Sequence, residues 1–389
     1  MVLRWFGKPE IPVQFWAVAQ INPMYSHLKD KKVLVAMSGG IDSSMVAVML
    51  KKAGALPIGM TMKLGDTKIN LGSSLDSSCC TLDDVNDARS IAVRYDFPHY
   101  VVDLKSDFEK NVIDNFVDKT IDGLTPNPCI MCNKTVKWGS MLRYADMLGC
   151  DYIATGHYAR VLNDNGRFYL SRPKDLIKDQ TYFLWALGQD DLSRTIFPLG
   201  DYLKSEVKQM AIDEGITTFL DKSESFDICF VGDSTYKEFI LAKHPHLAKL
   251  DGGDIVLSNG DVVGKHTGYL FYTVGQRKGL GISLGRPVYV LSIDSINNRI
   301  VVGDADELKT NTALIGGLNL MKYDYVPTDR DFLIKVRSMD RGIMGRLSIN
   351  GDNVTITFLG DVKGGVSPGQ SAVVYDGDNV VCAGFIQKV

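Results

Sequence analysis

Two prolines and two cysteines stand close together in the segment TPNPCIMCN, residues 125–133. Because proline fixes its own φ angle, this turn is stiff and holds the thiols of Cys129 and Cys132 in place. We expect a helix to begin near Lys134. A helix N-terminus beside Lys134 and Lys137 favours the thiolate, which is the nucleophilic and metal-binding form of cysteine. The segment therefore predicts either sulfur chemistry or a metal site.

The chain contains seven cysteines, an odd number among its 389 residues. This count favours a reducing compartment, which we take to be the cytoplasm, over a disulfide-rich secreted protein. Cys229, in the segment SFDICF near the predicted end of the first domain, is the third candidate thiol. Cys150 and Cys382 have no polar or proline-rich context, so we interpret both as small buried apolar residues.

A second candidate site is the segment SGGIDSS, residues 38–44, between a short apolar run and a stretch of helical composition. Its two glycines allow positive φ angles and a close approach of the backbone to a ligand. Peptide N–H groups, the serine hydroxyls and the N-terminus of the following helix could then surround phosphate oxygens. No lysine follows the glycines, so this is not a Walker loop. Asp42 stands where the turn meets the helix, where a carboxylate can hold Mg²⁺ or fix the loop.

The scaffold for these sites is predicted by the first half of the chain, in which strand-like and helical segments alternate. This alternation predicts a doubly wound α/β domain with a parallel sheet. Ligands bind at the carboxyl ends of the strands of such a sheet, where the SGGIDSS loop and residues 155–158 would both lie. The predicted strands are 33–37, 56–62, 100–104 and 152–155, and the predicted helices are 82–95, 108–118 and 135–148.

A chain of this length exceeds the size of one compact core, so two or three domains are expected. After about residue 232, short strands with Asn-Gly and Gly-Asp turns predict an all-β part. We predict an N-terminal extension, an α/β domain, a central domain and a C-terminal domain at residues 1–30, 31–230, 231–305 and 306–389.

The net charge is −3, and no apolar stretch approaches the length of a membrane span. This charge excludes a globally basic nucleic-acid-binding protein, so an RNA partner would need local basic surfaces. Three groups of basic residues are candidates: Lys134, Lys137 and Arg143; Arg277 and Lys278; and Lys335, Arg337, Arg341 and Arg346.

Seven motifs of the chain, in the order in which they occur, are SGGIDSS, TPNPCIMCN, ATGHYAR, KDQTYFL, DICFVG, TVGQRKGLGI and SPGQSAVVY. In their order and separations they resemble those of the tRNA-specific 2-thiouridylases, from about residue 32 to the C-terminus. The resemblance implies an ATP-pyrophosphatase-type α/β domain, of the adenine nucleotide alpha hydrolase-like kind, a small central domain and a C-terminal β-barrel. It also implies an enzyme that replaces O2 of the wobble uridine of tRNA with sulfur.

Roles for individual residues follow from the same resemblance. Cys132 corresponds to the nucleophilic cysteine and Cys229 to the cysteine that receives the persulfide, and Asp42 is counted with them as catalytic. The residues expected to bind ATP are Ala36, Met37, Ser38, Gly39, Gly40, Ile41, Asp42, Ser43, Met62 and Gly156. The residues expected to meet the target base are Asn127, Pro128 and Cys129. Those expected to contact tRNA are His157, Lys178, Asp179, Gln180, Arg337, Ser338 and Gln370, helped by the loop 275–281.

The implied reaction starts from the chemistry of the uracil carbonyl, which has no leaving group at C2. ATP adenylates O2, and the N–H donors of the glycine loop with Mg²⁺ stabilise the departing pyrophosphate. A persulfide on Cys229 delivers sulfur to C2, AMP leaves, and a Cys132–Cys229 disulfide is then reduced. The expected partners are tRNAs for Lys, Glu and Gln and a sulfur donor such as a cysteine desulfurase or a sulfur relay protein.

Cys129 departs from the commoner family pattern, in which this position is an aspartate proposed as a general acid or base. A thiol does not simply replace that carboxylate. Cys129, Cys132 and Cys229 could instead supply three thiolates to a four-iron four-sulfur cluster whose fourth position stays open for sulfide. Some relatives with cysteine at this position resemble this arrangement. Zinc is a weaker alternative, because a structural zinc site prefers four protein ligands. The persulfide and the cluster remain open alternatives.

Two other functions compete with this interpretation. The first is another enzyme with an ATP-pyrophosphatase loop that adenylates a different carbonyl, such as an amidating synthetase. It would require neither the Cys129–Cys132 turn nor Cys229. The second is a non-catalytic RNA-binding protein with a degenerate loop, against which the intact SGGIDSS segment argues. Exchange of ATP with pyrophosphate in the presence of unmodified tRNA would distinguish these functions.

Overall fold

The computed structural model describes residues 23–65, 82–217, 229–230 and 236–388. Most of the predicted N-terminal extension lies outside the described residues, as do Cys79, Cys80 and the residues just before Cys229. The extension ends in a 3₁₀ helix, Pro23–Leu28. None of the helices in the described ranges combines the length and the apolar character that crossing a bilayer requires.

The first domain is built on a parallel sheet, as predicted. Its strands are β1 (Lys32–Ala36), β2 (Leu56–Lys63), β3 (His99–Asp103), β4 (Tyr152–Ala154), β5 (Arg160–Asp164), β6 (Arg167–Ser171) and β7 (Thr195–Ile196). Within the described residues, five of them form one sheet in the order β3-β2-β1-β4-β7. The centre of β1, residues 33–35, is fully buried, which explains its continuous apolar run. All four predicted strands are confirmed.

Helices cover this sheet. They are α1 (Ile41–Lys52), α2 (Leu82–Arg94), α3 (Lys105–Phe108), α4 (Asn115–Ile121), α5 (Pro128–Met131), α6 (Gly139–Met147), α7 (Thr181–Leu184), α8 (Gln189–Ser193) and α9 (Lys204–Asp213). Two π-helical segments, Glu109–Asp114 and Cys132–Trp138, join α3 to α4 and α5 to α6. Short 3₁₀ helices lie at Leu176–Lys178 and Pro198–Asp201.

One predicted boundary is wrong: the helix that carries the paired cysteines begins at Pro128 rather than near Lys134. The cause is the cap, because the Asn127 side chain accepts a hydrogen bond from the Cys129 N–H at 3.1 Å. Proline at the first helical position adds to this cap, since its fixed φ suits a helix and its missing N–H is not needed there. Cys129 and Cys132 therefore lie within the helical turns and not in a turn before them.

The central domain combines α10 (Tyr236–Lys243) with a small mixed sheet. Its strands are β8 (Asp254–Leu257), β9 (Val262–Lys265), β10 (Tyr289–Asp294) and β11 (Arg299–Gly303), in the order β10-β11-β8-β9. Strands β8 and β11 are parallel, and the other neighbours are antiparallel. The 3₁₀ helices of this region are Pro245–Leu250, Tyr269–Phe271 and Ala305–Leu308.

The C-terminal domain is a β-barrel. Its strands are β12 (Thr312–Leu320), β13 (Asp331–Lys335), β14 (Ile343–Asn350), β15 (Asn353–Phe358), β16 (Ser371–Asp376) and β17 (Asn379–Ile386). They follow the order β12-β15-β14-β13-β16-β17, and pairing of β12 with β17 closes the barrel. The predicted fold class, an α/β domain followed by a small central domain and a β-barrel, is confirmed.

Strands β5 and β6 were not predicted. They form an antiparallel hairpin that leaves the first domain and reaches β17, where Ser171 pairs with Asn379. One hydrophobic cluster continues across all three domains, from the first domain through the central sheet to Tyr375 of the barrel. The domains therefore share a core, and residues of one domain can help to shape a site in another.

Candidate active site

The SGGIDSS loop joins β1 to α1 and is closed by the hydroxyl of Ser43. This hydroxyl accepts a hydrogen bond from the Ser38 N–H at 3.1 Å and donates one to the Gly40 carbonyl at 3.1 Å. Gly39 has a φ of +72°, and a Cβ atom there would lie 2.4 Å from the carbonyl oxygen of Asp84. The loop is thus pressed against the third residue of α2, and only glycine fits at position 39.

The carboxylate of Asp42, in the first turn of α1, is held by two distant side chains. The Tyr158 hydroxyl donates to one oxygen at 3.0 Å, and the Lys204 ammonium donates to the other at 2.6 Å. Lys204 is 9% exposed and opens α9. Both oxygens of Asp42 therefore bond protein groups, which supports the loop-fixing role that the sequence left open beside Mg²⁺ binding.

Lys204 places an ammonium group next to this loop, and this contact was not predicted. A Walker loop carries its lysine directly after the glycines, whereas this lysine is 162 residues from Asp42. No local pattern in the sequence marks this lysine, so it was not predicted.

The residues expected to bind ATP gather at the carboxyl ends of three neighbouring strands. Ala36 ends β1, Met62 lies near the end of β2, and Gly156 follows β4. A Cβ atom at Gly156 would lie 3.0 Å from the Ser43 nitrogen, so Gly156 packs directly on the start of α1. Met37 is 2% exposed and belongs to the core, and its backbone is bonded within the protein, since its N–H donates to the Met60 carbonyl at 2.9 Å and its carbonyl accepts from the Thr61 hydroxyl at 2.8 Å. The structure brings these residues to one edge of the sheet, and ATP binding by them stays a prediction.

Cys129 and Cys132 are three residues apart on one helical stretch but differ in exposure. Cys129 is exposed, whereas Cys132 is 7% exposed and packs within the hydrophobic core. Cys132 also opens the π-helical segment, a rare geometry that is frequent at functional sites. The outer thiol can meet a large substrate directly, and the inner one needs a group that reaches into the protein.

A cavity of about 390 Å³ opens beside Cys129 and is lined by all three domains. Its lining includes residues 127–129, which are expected to meet the target base, and Ser338 and Gln370, which are expected to contact tRNA. Phe116, Phe183 and Tyr272 give it aromatic walls. The remaining lining residues are Thr120, Leu124, Thr125, Pro126, Asn127, Pro128, Tyr236, Leu270 and Thr273.

Cys229 is half-buried and is followed by Phe230, whose ring packs among three other phenylalanines. The ring centroids lie 5.9 Å from Phe108, 5.7 Å from Phe116 and 5.2 Å from Phe239. Phe116 also lines the cavity beside Cys129. This aromatic cluster therefore links the residue after Cys229 to the wall of the cavity.

The side chain of His157 is a neutral imidazole. Burial, with a smaller contribution from the charge of Lys137, holds the pKa of His157 well below its usual value. Its Nδ1 lies 2.7 Å from the Thr155 hydroxyl, and its ring centroid lies 5.7 Å from that of Trp138. Any contact of His157 with RNA would therefore be made by an uncharged ring.

Comparison with known proteins decides the family. The model of the tRNA methyl transferase HUP domain matches residues 31–233, that of the tRNA methyl transferase PRC-barrel domain matches residues 238–304, and that of the aminomethyltransferase beta-barrel domain matches residues 318–386. The protein named tRNA-specific 2-thiouridylase MnmA from Cytophaga hutchinsonii is 47% identical over 362 residues, which cover 92% of this chain and 98% of that protein. The chain belongs to the tRNA-specific 2-thiouridylase family.

Two further 2-thiouridylases are similarly close. The protein of Amoebophilus asiaticus is 46% identical, over 92% of this chain and 96% of its own length. That of Salinibacter ruber is 44% identical, over 93% of this chain and 95% of its own length. The predicted family and the predicted enzyme class, a tRNA sulfurtransferase, are confirmed. The assigned site residues stay predictions, because the names of relatives do not test them.

Residues of the 2-thiouridylase pattern that were assigned to tRNA do not all lie on the surface. The side chain of Asp179 is 6% exposed and lies 3.4 Å from Arg172 Nε and 3.9 Å from Lys335 Nζ. The Gln180 side chain accepts a hydrogen bond from the Tyr158 N–H at 2.8 Å. Asp179 therefore braces the first domain against the barrel, and its expected contact with tRNA stays a prediction.

The third predicted basic group is not the continuous surface that the sequence suggested. Lys335 is 8% exposed beside Asp179, and burial lowers its pKa. The Arg337 guanidinium donates to the carbonyls of Gly364 and Gly365, the latter at 3.2 Å. Arg277, Lys278, Arg341 and Arg346 remain exposed, although Arg346 pairs with Asp331 at 2.8 Å.

The fit of the three cysteines to an iron–sulfur cluster can be tested on their placement. In the part of the chain that the structure describes, no three His, Cys, Asp or Glu side chains are grouped so that they could hold one metal ion. Cys129, Cys132 and Cys229 all belong to this part. As placed here, the three thiols do not fit a shared cluster.

Proposed function

We propose that this protein thiolates C2 of the wobble uridine in tRNA, with activation by ATP and with sulfur carried as a persulfide on Cys229. The cavity supports this proposal, because residues 127–129, which are expected to meet the base, line it together with barrel residues that the family pattern assigns to tRNA. The expected substrates are tRNAs for Lys, Glu and Gln. A cysteine desulfurase or a sulfur relay protein is the expected donor.

Activation begins when O2 of the base attacks the α-phosphorus of ATP. An O2–phosphorus bond forms, and the bond to the pyrophosphate leaving group breaks. We expect backbone N–H groups of the glycine loop to stabilise the negative charge that grows on the pyrophosphate, helped by the ammonium of Lys204, which is bonded to Asp42 of the same loop. This step converts the uracil oxygen into a leaving group, namely AMP.

Sulfur transfer then uses two thiols. The terminal sulfur of the Cys229 persulfide attacks C2, the C2–O2 bond breaks, and AMP leaves. The Cys132 thiolate attacks Sγ of Cys229, which breaks the bond between that atom and the transferred sulfur and leaves a thiocarbonyl on the base. The resulting Cys132–Cys229 disulfide takes two electrons from an external thiol before the next turnover. This step requires direct contact between the sulfur atoms of Cys132 and Cys229.

The experiment separates activation from sulfur transfer. Cys132→Ser and Cys229→Ser should retain ATP–pyrophosphate exchange with unmodified tRNA and lose 2-thiouridine formation. Cys150→Ala and Cys382→Ala are the controls, and both should remain active. Burial raises the pKa of the Cys150 thiol, and burial raises the pKa of the Cys382 thiol to about 12, so neither thiol is reactive. Absence of exchange in the wild-type protein, or normal thiolation by Cys229→Ser, would contradict the proposal.

Cys129→Asp tests the choice between persulfide and cluster. By the persulfide route this variant, which restores the commoner family residue, keeps or gains activity, and the wild-type protein is colourless and active in air. A cluster would instead give brown protein with about four iron atoms per chain when purified without oxygen. In that case Cys129→Asp would lose both colour and activity, because a carboxylate is a poor ligand for cluster iron.

A further inference from the structure

A loop of the barrel, residues 367–370, holds the chain just before the catalytic segment. The Thr125 N–H donates a hydrogen bond to the Pro368 carbonyl at 2.8 Å. The Gln370 side-chain Nε2 donates to the Thr125 carbonyl at 2.8 Å. Both backbone polar groups of Thr125 are therefore bonded to another domain, although Thr125 is only four residues from Cys129.

Gly369 brings the two segments this close. Its φ is +89°, and a Cβ atom there would lie 2.8 Å from Leu124 Cβ and 2.9 Å from the Thr125 nitrogen. The loop itself is fixed to the barrel, because the Gly369 N–H donates to the Ile386 carbonyl at 2.9 Å and the Ile386 N–H donates to the Gln370 carbonyl at 2.8 Å. A stiff part of the barrel thus contacts the catalytic segment without space between them.

The orientation of the Gln370 amide is fixed by Thr125 itself, because only Nε2 can donate to the Thr125 carbonyl. The Tyr182 hydroxyl, 3.5 Å from Gln370 Oε1, donates its one proton to the Ser371 carbonyl at 2.9 Å. The family pattern assigns Gln370 to tRNA, yet here its donor group is occupied by the protein.

The restricted backbone after Thr125 couples this contact to the position of the cysteines. Pro126 and Pro128 restrict the backbone between Thr125 and the helix, and Asn127 caps that helix through the Cys129 N–H. A displacement of Thr125 would therefore move Asn127 and the cysteines as one unit. Catalysis by positioned groups is sensitive to displacements of about 1 Å.

We propose that Gln370 is a positioning residue, which acts on the reaction by holding Thr125 and through it the segment 127–132. This inference rests on the proposed thiolation, since it names how the barrel orients the same site. The barrel then contributes to the rate of the reaction on bound tRNA as well as to tRNA binding.

The test compares two similar substitutions within the barrel. Gln370→Met removes the donor and keeps the length of the side chain. Gln387→Met is the matched control, because Gln387 is half-buried in the same domain and its Nε2 donates within its own strand, to the Phe385 carbonyl at 2.7 Å. We expect Gln370→Met to lower the single-turnover thiolation rate on saturating tRNA about tenfold, a loss that a weakened tRNA contact alone would not produce at saturation, and Gln387→Met to leave this rate unchanged.

Amide hydrogen exchange without tRNA gives a readout that does not depend on activity. Exchange at Thr125 and Cys129 should be faster in Gln370→Met than in the wild-type protein and unchanged in Gln387→Met. If Gln370→Met does not fold, Gln370→Glu, which keeps the shape and replaces the donor by an acceptor, should give the same changes. A weaker Kd with a normal rate and normal exchange would overturn the inference. Failure of the wild-type protein to thiolate tRNA would overturn the proposed function, and the exchange data would still decide whether the barrel loop holds Thr125.

Discussion

At the scale of single residues, the ion pair between Asp42 and Lys204 holds the glycine loop in place and brings a positive charge to it. The side chain of Lys204 is 11% exposed and that of Asp42 is 29% exposed, so the pair is only partly screened by water. An ammonium buried to this degree depends on its carboxylate, because an unpaired buried charge is costly. The pair therefore fixes the loop in the absence of ATP and keeps a cation beside the expected phosphate site.

We expect Asp42→Ala to abolish thiolation and to lower the free energy of unfolding by about 1–3 kcal/mol, since Lys204 would lose its partner. Lys204→Met should abolish ATP–pyrophosphate exchange at a smaller cost in stability, because the remaining carboxylate is more exposed to water. Denaturant unfolding and the exchange assay measure the two effects. Tyr158→Phe is the control, as it removes only the 3.0 Å hydrogen bond and should keep most of the exchange activity. Normal exchange in Lys204→Met would refute the catalytic role of this lysine.

For Asp42, the role could be predicted from the sequence, whereas its partner could not. The type of Asp42 and its place at the start of a helix predicted that it holds either Mg²⁺ or the loop. The partner was beyond prediction, because Lys204 reaches Asp42 by the packing of α9 on α1 and no spacing in the sequence encodes that contact. Local chemistry could be predicted, whereas the long-range contact that completes the charge balance could not.

At the scale of elements, the cysteines expected to be catalytic depend on short pieces of structure. The start of α5 was predicted too late because the Asn127 cap and the proline after it define a helix that composition alone does not show. Cys229 depends on its neighbour, since Phe230 inserts between the helical stretch 105–121 and α10. Aromatic packing of this kind fixes the chain locally with large buried area.

We expect Phe230→Ala to leave ATP–pyrophosphate exchange with tRNA near the wild-type level and to slow formation of the Cys132–Cys229 disulfide more than tenfold, because the anchor of Cys229 is lost. Phe230→Leu, which refills much of the space, should recover part of the rate. Quenched single-turnover reactions followed by thiol labelling measure disulfide formation. If Phe230→Ala forms the disulfide as fast as the wild-type protein, the aromatic cluster has no role in positioning Cys229.

At the scale of the whole molecule, the first domain and the barrel are joined by more than a linker. The hairpin β5–β6 adds to the barrel through Ser171 and Asn379, and the Arg167 guanidinium donates to carbonyls at the end of β12 and beyond. The alternation of strands and helices predicted the parallel sheet, because local periodicity encodes it. The hairpin does carry a local signal that was overlooked, the Asn165-Gly166 turn between its strands, whereas its pairing with β17, about two hundred residues away, has no local signal.

The buried charges between the first domain and the barrel lead to a prediction in which stability and tRNA affinity respond to different residues. Asp179 lies between Arg172 and Lys335, and Arg172 also stacks 4.2 Å above the ring of Tyr375. Asp179→Asn would leave two largely buried cations without their carboxylate. We expect it to lower the free energy of unfolding by about 3 kcal/mol.

Lys178 is the matched comparison, because it precedes Asp179 in the same expected tRNA motif but is half-buried rather than enclosed. Lys178→Met should leave the unfolding transition unchanged, weaken tRNA binding and reduce the slope of log Kd against log salt concentration by about one, as expected for one lost phosphate contact. Thermal unfolding and tRNA titrations at several salt concentrations measure both variants. If Asp179→Asn keeps its stability and weakens tRNA binding, the carboxylate contacts tRNA and does not brace the two domains.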